Sequence, residues 1–348
     1  FGSQQCQLAG KQAAPRTQRA TQLFGDGYGT HCVPQHPRER HMLRHIVLWC
    51  SALVAAMSAD FTWRDCKFVI VMADTHALEE IPFLDGGLHQ YAKKSAVVNY
   101  LYARRHGYEF SYTAGKRDIA TRRQHWRRWW FKLWAIIVEL RKPAAPPASC
   151  QWGLYLDSDA IFLKHDIPLD ELMANISHQF RRYADWRSLN DVAIVFERET
   201  GRVSKATINS GVILFNYNLA RDFVTYWAMP SFVNSSKTCP GPTCAPCLPH
   251  VSHPEQVCLE KLFWAHLPRG RRPGLHMLGP QVVAGLVLPG TMNGPFGQFV
   301  RHAWKGLYGA YMQPSIFSDT LRHLGVVSVD RFNALLEEMR KHVSRFMV

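Results

Sequence analysis

The sequence predicts an α/β fold with a parallel sheet, and three observations carry that expectation. Continuous apolar, β-branched runs end at polar or turn-forming residues, as in strands buried on both faces. A helical pattern separates the first two runs, giving the strand, helix, strand order from which parallel sheets are built. A further apolar run, within Gln151–Lys164 (QWGLYLDSDAIFLK), carries two carboxylates one residue apart, Asp157 and Asp159.

In chain order, Lys67 to Ala73 (KFVIVMA) reads as the first strand, and Asp74-Thr75-His76 opens a loop toward a ligand. A helix is expected from about Leu88 to His106, closed by Gly107 as its C-cap. Tyr108 to Thr113 reads as the second strand. From Arg122 to Arg141, Trp126, Trp129, Trp130, Leu133, Trp134, Ile137 and Leu140 recur at helical spacing. Arginines interleaved with aromatics can bind single-stranded nucleic acid, but this spacing favours a helix with its aromatics in the core.

Pro143 to Pro147 ends that helix, and the strand with the two acids follows. Burying unpaired carboxylates is costly, so a cation or strong hydrogen bonds must meet them. Residues i and i+2 of an extended chain point to one side, which lets both acids face one hard cation, Mg²⁺ or Mn²⁺. The alternative is an ordinary turn.

A short element is expected at Ile167 to Leu172, then a polar stretch to Asn190. Strands follow at Asp191 to Phe196 and Ala206 to Tyr217, separated by a charged loop from Glu197 to Lys205. Asn209-Ser210-Gly211 stands before the apolar part of the second; Gly211 would let backbone approach a ligand, and a simple turn is the alternative. An amphipathic helix is expected to open at His253-Pro254-Glu255-Gln256, a strand to occupy Gln281 to Pro289, and a last helix Asp330 to Phe346.

The 348 residues carry a formal net charge of +14. Such a field attracts nucleotides, acidic glycans, membranes or nucleic acid without choosing among them. Residues 1–41, rich in Gln, Arg, Pro and Gly, read as a disordered or non-native head. Residues 42–59 then place basic Arg44 and His45 before an apolar run, the layout of a signal peptide or signal anchor, with a core helix as the alternative. Residues 60–348 form the folded domain in this reading. Sequons at Asn175 and Asn234 agree with a lumenal chain. Of the cysteines, Cys66, Cys150, Cys239, Cys244, Cys247 and Cys258 lie beyond the targeting segment, and residues 234–254 read as a Cys-rich insertion. The six can form up to three disulfides, and the alternative for Cys239, Cys244 and Cys247, with His250, His253 and Cys258 nearby, is a zinc site.

Taken together, several short motifs resemble glycosyltransferase family 34, which includes fungal α-galactosyl- and α-mannosyltransferases and plant xyloglucan xylosyltransferases. They are Tyr102-Ala103-x-x-His106-Gly107-Tyr108, Trp130-x-Lys132-Leu133, Leu156-Asp157-Ser158-Asp159-Ala160, Asn209-Ser210-Gly211-Val212, Glu255-Gln256 and Val300-x-His302, in the family's order. The resemblance implies a GT-A fold, with a mixed, mostly parallel sheet flanked by helices, and a metal-dependent, retaining transfer from a nucleotide sugar, UDP- or GDP-linked, to a glycan or glycoprotein.

In that reading Asp157, Asp159 and His302 hold the metal, and the imidazole favours Mn²⁺ over Mg²⁺. Asp74, Lys132, Asn209, Gly211 and Lys305 join the two aspartates around the donor, and Arg123 is a further cation for the diphosphate. Gln256 lies beneath the anomeric carbon and Glu255 against the acceptor hydroxyl. Neither serves as nucleophile, since front-face return needs none. Trp304 and Lys305 precede Gly306, where the family has a nearer glycine. With the targeting layout and sequons, the expected residence is the secretory pathway, in the Golgi, and with no recognised nucleic-acid module no nucleic-acid partner is expected. The rival classes are a haloacid-dehalogenase-type phosphatase, which also carries Asp-x-Asp after a strand, and a non-catalytic, cation-dependent carbohydrate-binding homologue.

Overall fold

The first strand alternates between two cores. Phe68, Ile70 and Met72 join one hydrophobic cluster while Val69, Val71 and Ala73 join another on the opposite face, so the sheet lies between two helical layers. The computed structural model describes residues 63–74, 90–115, 127–142, 150–183, 189–198, 208–232, 254–259, 274–277, 283–288, 291–292, 299–302 and 315–345.

Strand β1 (Lys67–Asp74) leads to helix α1 (Gln90–Arg105) and strand β2 (Glu109–Ala114). Helix α2 (Arg127–Leu140), strand β3 (Gln151–Asp157), the short strand β4 (Ala160–Phe162) and helix α3 (Leu169–Tyr183) follow. Then come β5 (Ile194–Arg198), β6 (Ile208–Asn216), α4 (Ala220–Phe232), α5 (Pro254–Leu259), β7 (Gly274–Met277), β8 (Val283–Val287) and β9 (Val300–His302). Helices α6 (Ser315–His323) and α7 (Val329–Arg340) and strand β10 (Val343–Arg345) complete the described chain.

The large sheet has the order β10-β2-β1-β3-β6-β5-β8-β7. Strands β10, β2, β1 and β3 run parallel, β6 runs antiparallel to β3 and β5, and β5 pairs in parallel with β8. Strand β7 closes the far edge antiparallel to β8. The mixed, mostly parallel sheet flanked by helices is the expected architecture. A separate ribbon pairs β4 with β9, antiparallel.

The aromatic helix takes the core orientation: Trp130 and Trp134 are buried within the second cluster. Gly107 caps α1 in the left-handed region at φ 70°, where the Tyr108 N–H donates to the Ala103 carbonyl. A disulfide joins Cys66 to Cys150, tying the starts of β1 and β3, and Cys258 is disulfide-bonded as well.

Three expectations need correction. The polar stretch before Asn190 is largely helix α3, because Leu169, Leu172, Met173, Ile176 and Phe180 form a buried helical stripe among polar neighbours. Glu197 and Arg198 belong to β5 and not to a loop; Glu197 is buried and its carboxylate accepts the Met292 N–H. The last helix stops at Arg340, and Val343 enters β10 instead, because the edge of β2 offers hydrogen bonds that a further helical turn would forgo. The segment 42–59, the prolines at 143–147 and the insertion up to residue 253 lie outside the described residues. Among the described residues, no helix is long and apolar enough to cross a membrane.

Candidate active site

Asp157 closes β3, paired in register with Ala73 at the C-terminal end of β1, so Asp74 stands at the same end of the sheet. The chain turns at Ser158-Asp159 and continues as β4, whose Ala160 pairs with His302 of β9. That pairing brings a histidine from late in the sequence to the two aspartates. His302 Nε2 lies 2.8 Å from Asp159 Oδ1 and 3.5 Å from Asp157 Oδ2. One ligand atom from each of the three residues falls within 4.8 Å of the others.

A second cation supports this cluster from beneath. Lys132 of α2 is 6 % exposed, and its Nζ reaches Asp157 Oδ2 at 3.1 Å, Glu255 Oε1 at 3.5 Å and the Ser210 carbonyl at 3.1 Å. The Tyr155 hydroxyl donates to Asp157 Oδ1 at 2.9 Å, so both oxygens of that carboxylate are held. Burial alone would lift the Asp157 carboxyl, but Lys132, His302 and the Tyr155 hydroxyl hold it below the usual range. Burial likewise opposes the charge on Lys132, yet Asp157 and Glu255 keep its ammonium above the ordinary lysine value. Glu255 is raised by its burial, against the pull of Lys132. For His302, burial favours the neutral ring and Asp159 outweighs it, so the ring titrates above its ordinary value.

Among the described residues, three carboxylates therefore face one ammonium and one imidazole. That deficit of positive charge, with two oxygen donors and one nitrogen donor converging, fits a divalent cation of intermediate hardness.

Strand β6 supplies the remaining wall. Its register against β5 shifts between Phe196 and Glu197, a bulge that turns Ser210 and Gly211 toward the cluster. Asn209 Oδ1 accepts the Gly211 N–H at 2.7 Å, so its amide serves the bulge. A Cβ on Gly211 would lie 2.1 Å from His302 Cε1; glycine is what allows the imidazole to occupy that space. Gln256 remains partly exposed, its Nε2 donating to the Ile208 carbonyl and its Oε1 3.4 Å from Ser210 Oγ.

The structure thus gathers Asp157, Asp159, His302, Lys132, Gly211, Glu255 and Gln256 at one place. Glu255, placed by the resemblance at the acceptor, has no exposed surface and stands behind Lys132. Lys305 and Arg123 lie outside the described residues. Sequence reasoning missed Tyr155, hidden in an apolar run, and gave Ser210 no role of its own within the Asn209-Ser210-Gly211 motif; the strand alternation that puts Tyr155 two residues before Asp157 was the available signal.

A sequence model of the galactosyl transferase GMA12/MNN10 family matches residues 65–250, more than half of the chain. The chain belongs to that family. Membership assigns this glycosyltransferase to glycosyl transfer and sets aside the phosphatase, whose nucleophilic aspartate would end the first strand. No curated protein matches the chain. Among solved structures, it is similar to a glycosyltransferase involved in glycosylation of the major capsid of PBCV-1, at 16 % identity and a TM-score of 0.44, covering 73 % of this chain and 98 % of that one. It is also similar to the apo-form glycosyltransferase GlyE of Streptococcus pneumoniae, at 14 % identity and a TM-score of 0.32, covering 80 % and 74 % of the two chains.

Proposed function

We propose that this glycosyltransferase moves a hexosyl or pentosyl group from a nucleoside diphosphate sugar to a glycan or glycoprotein, with retention of configuration, using Mn²⁺ held by Asp157, Asp159 and His302. The convergence of those three ligand atoms at the C-terminal end of β3 carries the reading, since a parallel sheet binds its ligands at that end. Bound there, the metal would supply charge neutralisation to the departing diphosphate. The protein's own groups do the rest. Lys132 and Tyr155 fix Asp157, and Lys132 keeps its positive charge near the leaving group. Glu255 serves as counter-ion to Lys132, and Gln256 presents its amide at the opening toward the sugar. Asp74, Asn209 and Lys305 line the donor side in the same reading.

The disulfide between Cys66 and Cys150 supports residence in an oxidising compartment, and we place the enzyme in the secretory pathway, in the Golgi. Titration of UDP and GDP into the purified protein, with Mn²⁺ and then with EDTA, tests the donor site. Manganese-dependent binding of one nucleotide is expected, with Asp157→Ala and Asp159→Ala abolishing both that binding and sugar transfer in a folded protein. Full transfer by either variant defeats the mechanism.

A further inference from the structure

Strand β4 is three residues long and holds β9 along one edge, where the adjoining Leu163 N–H donates to the Phe299 carbonyl at 3.0 Å. Its other edge has no neighbouring strand among the described residues. Helix α1 stands there instead. Asn99 Nδ2 donates to the Ala160 carbonyl at 2.8 Å while Asn99 Oδ1 accepts the Phe162 N–H at 3.1 Å. One carboxamide thus supplies the donor and acceptor that a neighbouring strand would offer to residues i and i+2. Ser95 Oγ, one helical turn earlier, donates to the same Ala160 carbonyl at 2.6 Å.

Both side chains are fully buried in a helix face that is otherwise apolar, next to Ala92, Ala96 and Ala103. Polar groups in such a place are costly unless their partners are held in position. The grip continues along α1: the Tyr102 hydroxyl donates to the Ile167 carbonyl at 2.7 Å, and the Tyr102 ring stacks on Phe162.

Ala160 follows Asp159 and pairs directly with His302. Fixing its backbone therefore fixes the distance between the aspartates and the imidazole. We propose that Asn99 and Ser95 are positioning residues for the metal centre, acting through the backbone of β4; this rests on the Asp157, Asp159 and His302 reading above. They touch neither metal nor sugar. Their work is to keep a two-stranded ribbon, marginal on its own, in the one register that closes the ligand set.

The test is the affinity for Mn²⁺ itself, by calorimetry and by electron paramagnetic resonance, with saturating UDP or GDP, on the full chain well below its melting temperature. Asn99→Leu, of similar shape, is expected to weaken Mn²⁺ binding about tenfold or more, the usual weight of an outer support of a metal site. Ser95→Ala is expected to lose about fivefold, the weight of one hydrogen bond, and Ser95→Thr, which keeps the hydroxyl, to bind as the wild type does. Leu336→Ala, which destabilises α7 elsewhere in the same core, must leave the affinity unchanged. Wild-type Mn²⁺ affinity in folded Asn99→Leu and Ser95→Ala overturns the proposal and leaves the metal reading standing. If Asn99→Leu does not fold, Ser95→Ala against Ser95→Thr decides alone. Absence of Mn²⁺ binding by the wild type removes the metal centre, and the clamp with it.

Discussion

An alanine at Gly211 would set a methyl carbon 2.1 Å from Cε1, 2.5 Å from Nδ1 and 2.9 Å from Nε2 of His302. Carbon atoms rest at about 3.5–4.0 Å, so the ring must retreat by roughly 1 Å or more. It has little room to do so, being 8 % exposed and held by Asp159. Overpacking of this kind costs about 1–3 kcal/mol, which lowers the melting temperature by roughly 5 °C in a domain of this size. The same displacement pulls Nε2 from the two aspartates, and Mn²⁺ affinity is expected to fall about 10- to 100-fold. Thermal unfolding and Mn²⁺ titration measure the two effects separately. His302→Ala gives the control: with the ring removed, Gly211→Ala has nothing to strike and its stability penalty should vanish. An unchanged melting temperature and affinity in Gly211→Ala, or a penalty that persists beside His302→Ala, refutes the packing argument.

Lys132→Met leaves Asp157 and Glu255 buried without their cation and is expected to cost about 3–5 kcal/mol in denaturant unfolding, with part restored by adding Glu255→Gln. Opening the Cys66–Cys150 bond by Cys66→Ser with Cys150→Ser, which frees a loop with a sequence separation of 84 and spares the bond at Cys258, should cost about 4.5 kcal/mol in the loop-closure picture, read as a lower denaturation midpoint. His165 is buried, and burial pulls its ring from 6.5 down to about 4; its Nε2 donates to the Phe162 carbonyl and its Nδ1 has no hydrogen-bond partner among the described residues. Between those values the unfolded chain binds the proton that the folded chain refuses, so stability is lost as pH falls through this window, by up to about 3 kcal/mol. Against His165→Gln, the wild type's stability should therefore decline more steeply from pH 6.5 to about 4.

Much of this fold was legible because its strands announce themselves. β1, β3 and β8 are near-continuous apolar runs, and Asp157 and Asp159 stand out for interrupting one. The errors arose where one residue type serves two contexts. Asn175, His178, Gln179 and Arg181 look like loop, yet Leu172, Ile176 and Phe180 beside them make helix α3. Glu197 looks solvated until the bulge between β5 and β6 encloses it. His302 was assigned to the metal only through the family likeness, because no local pattern joins it to Asp159. Ser95 and Asn99 were invisible for a related reason: each acts on the Ala160 carbonyl, which only the folded chain brings near.

The pairing of Ala160 with His302 also has a temporal side. During synthesis both aspartates leave the ribosome long before the histidine, and contacts of such long sequence separation are slow to close. A chain interrupted between Asp159 and Val300 carries both acids without the histidine, so the cluster of Asp157, Asp159 and His302 exists only once β9 finds β4.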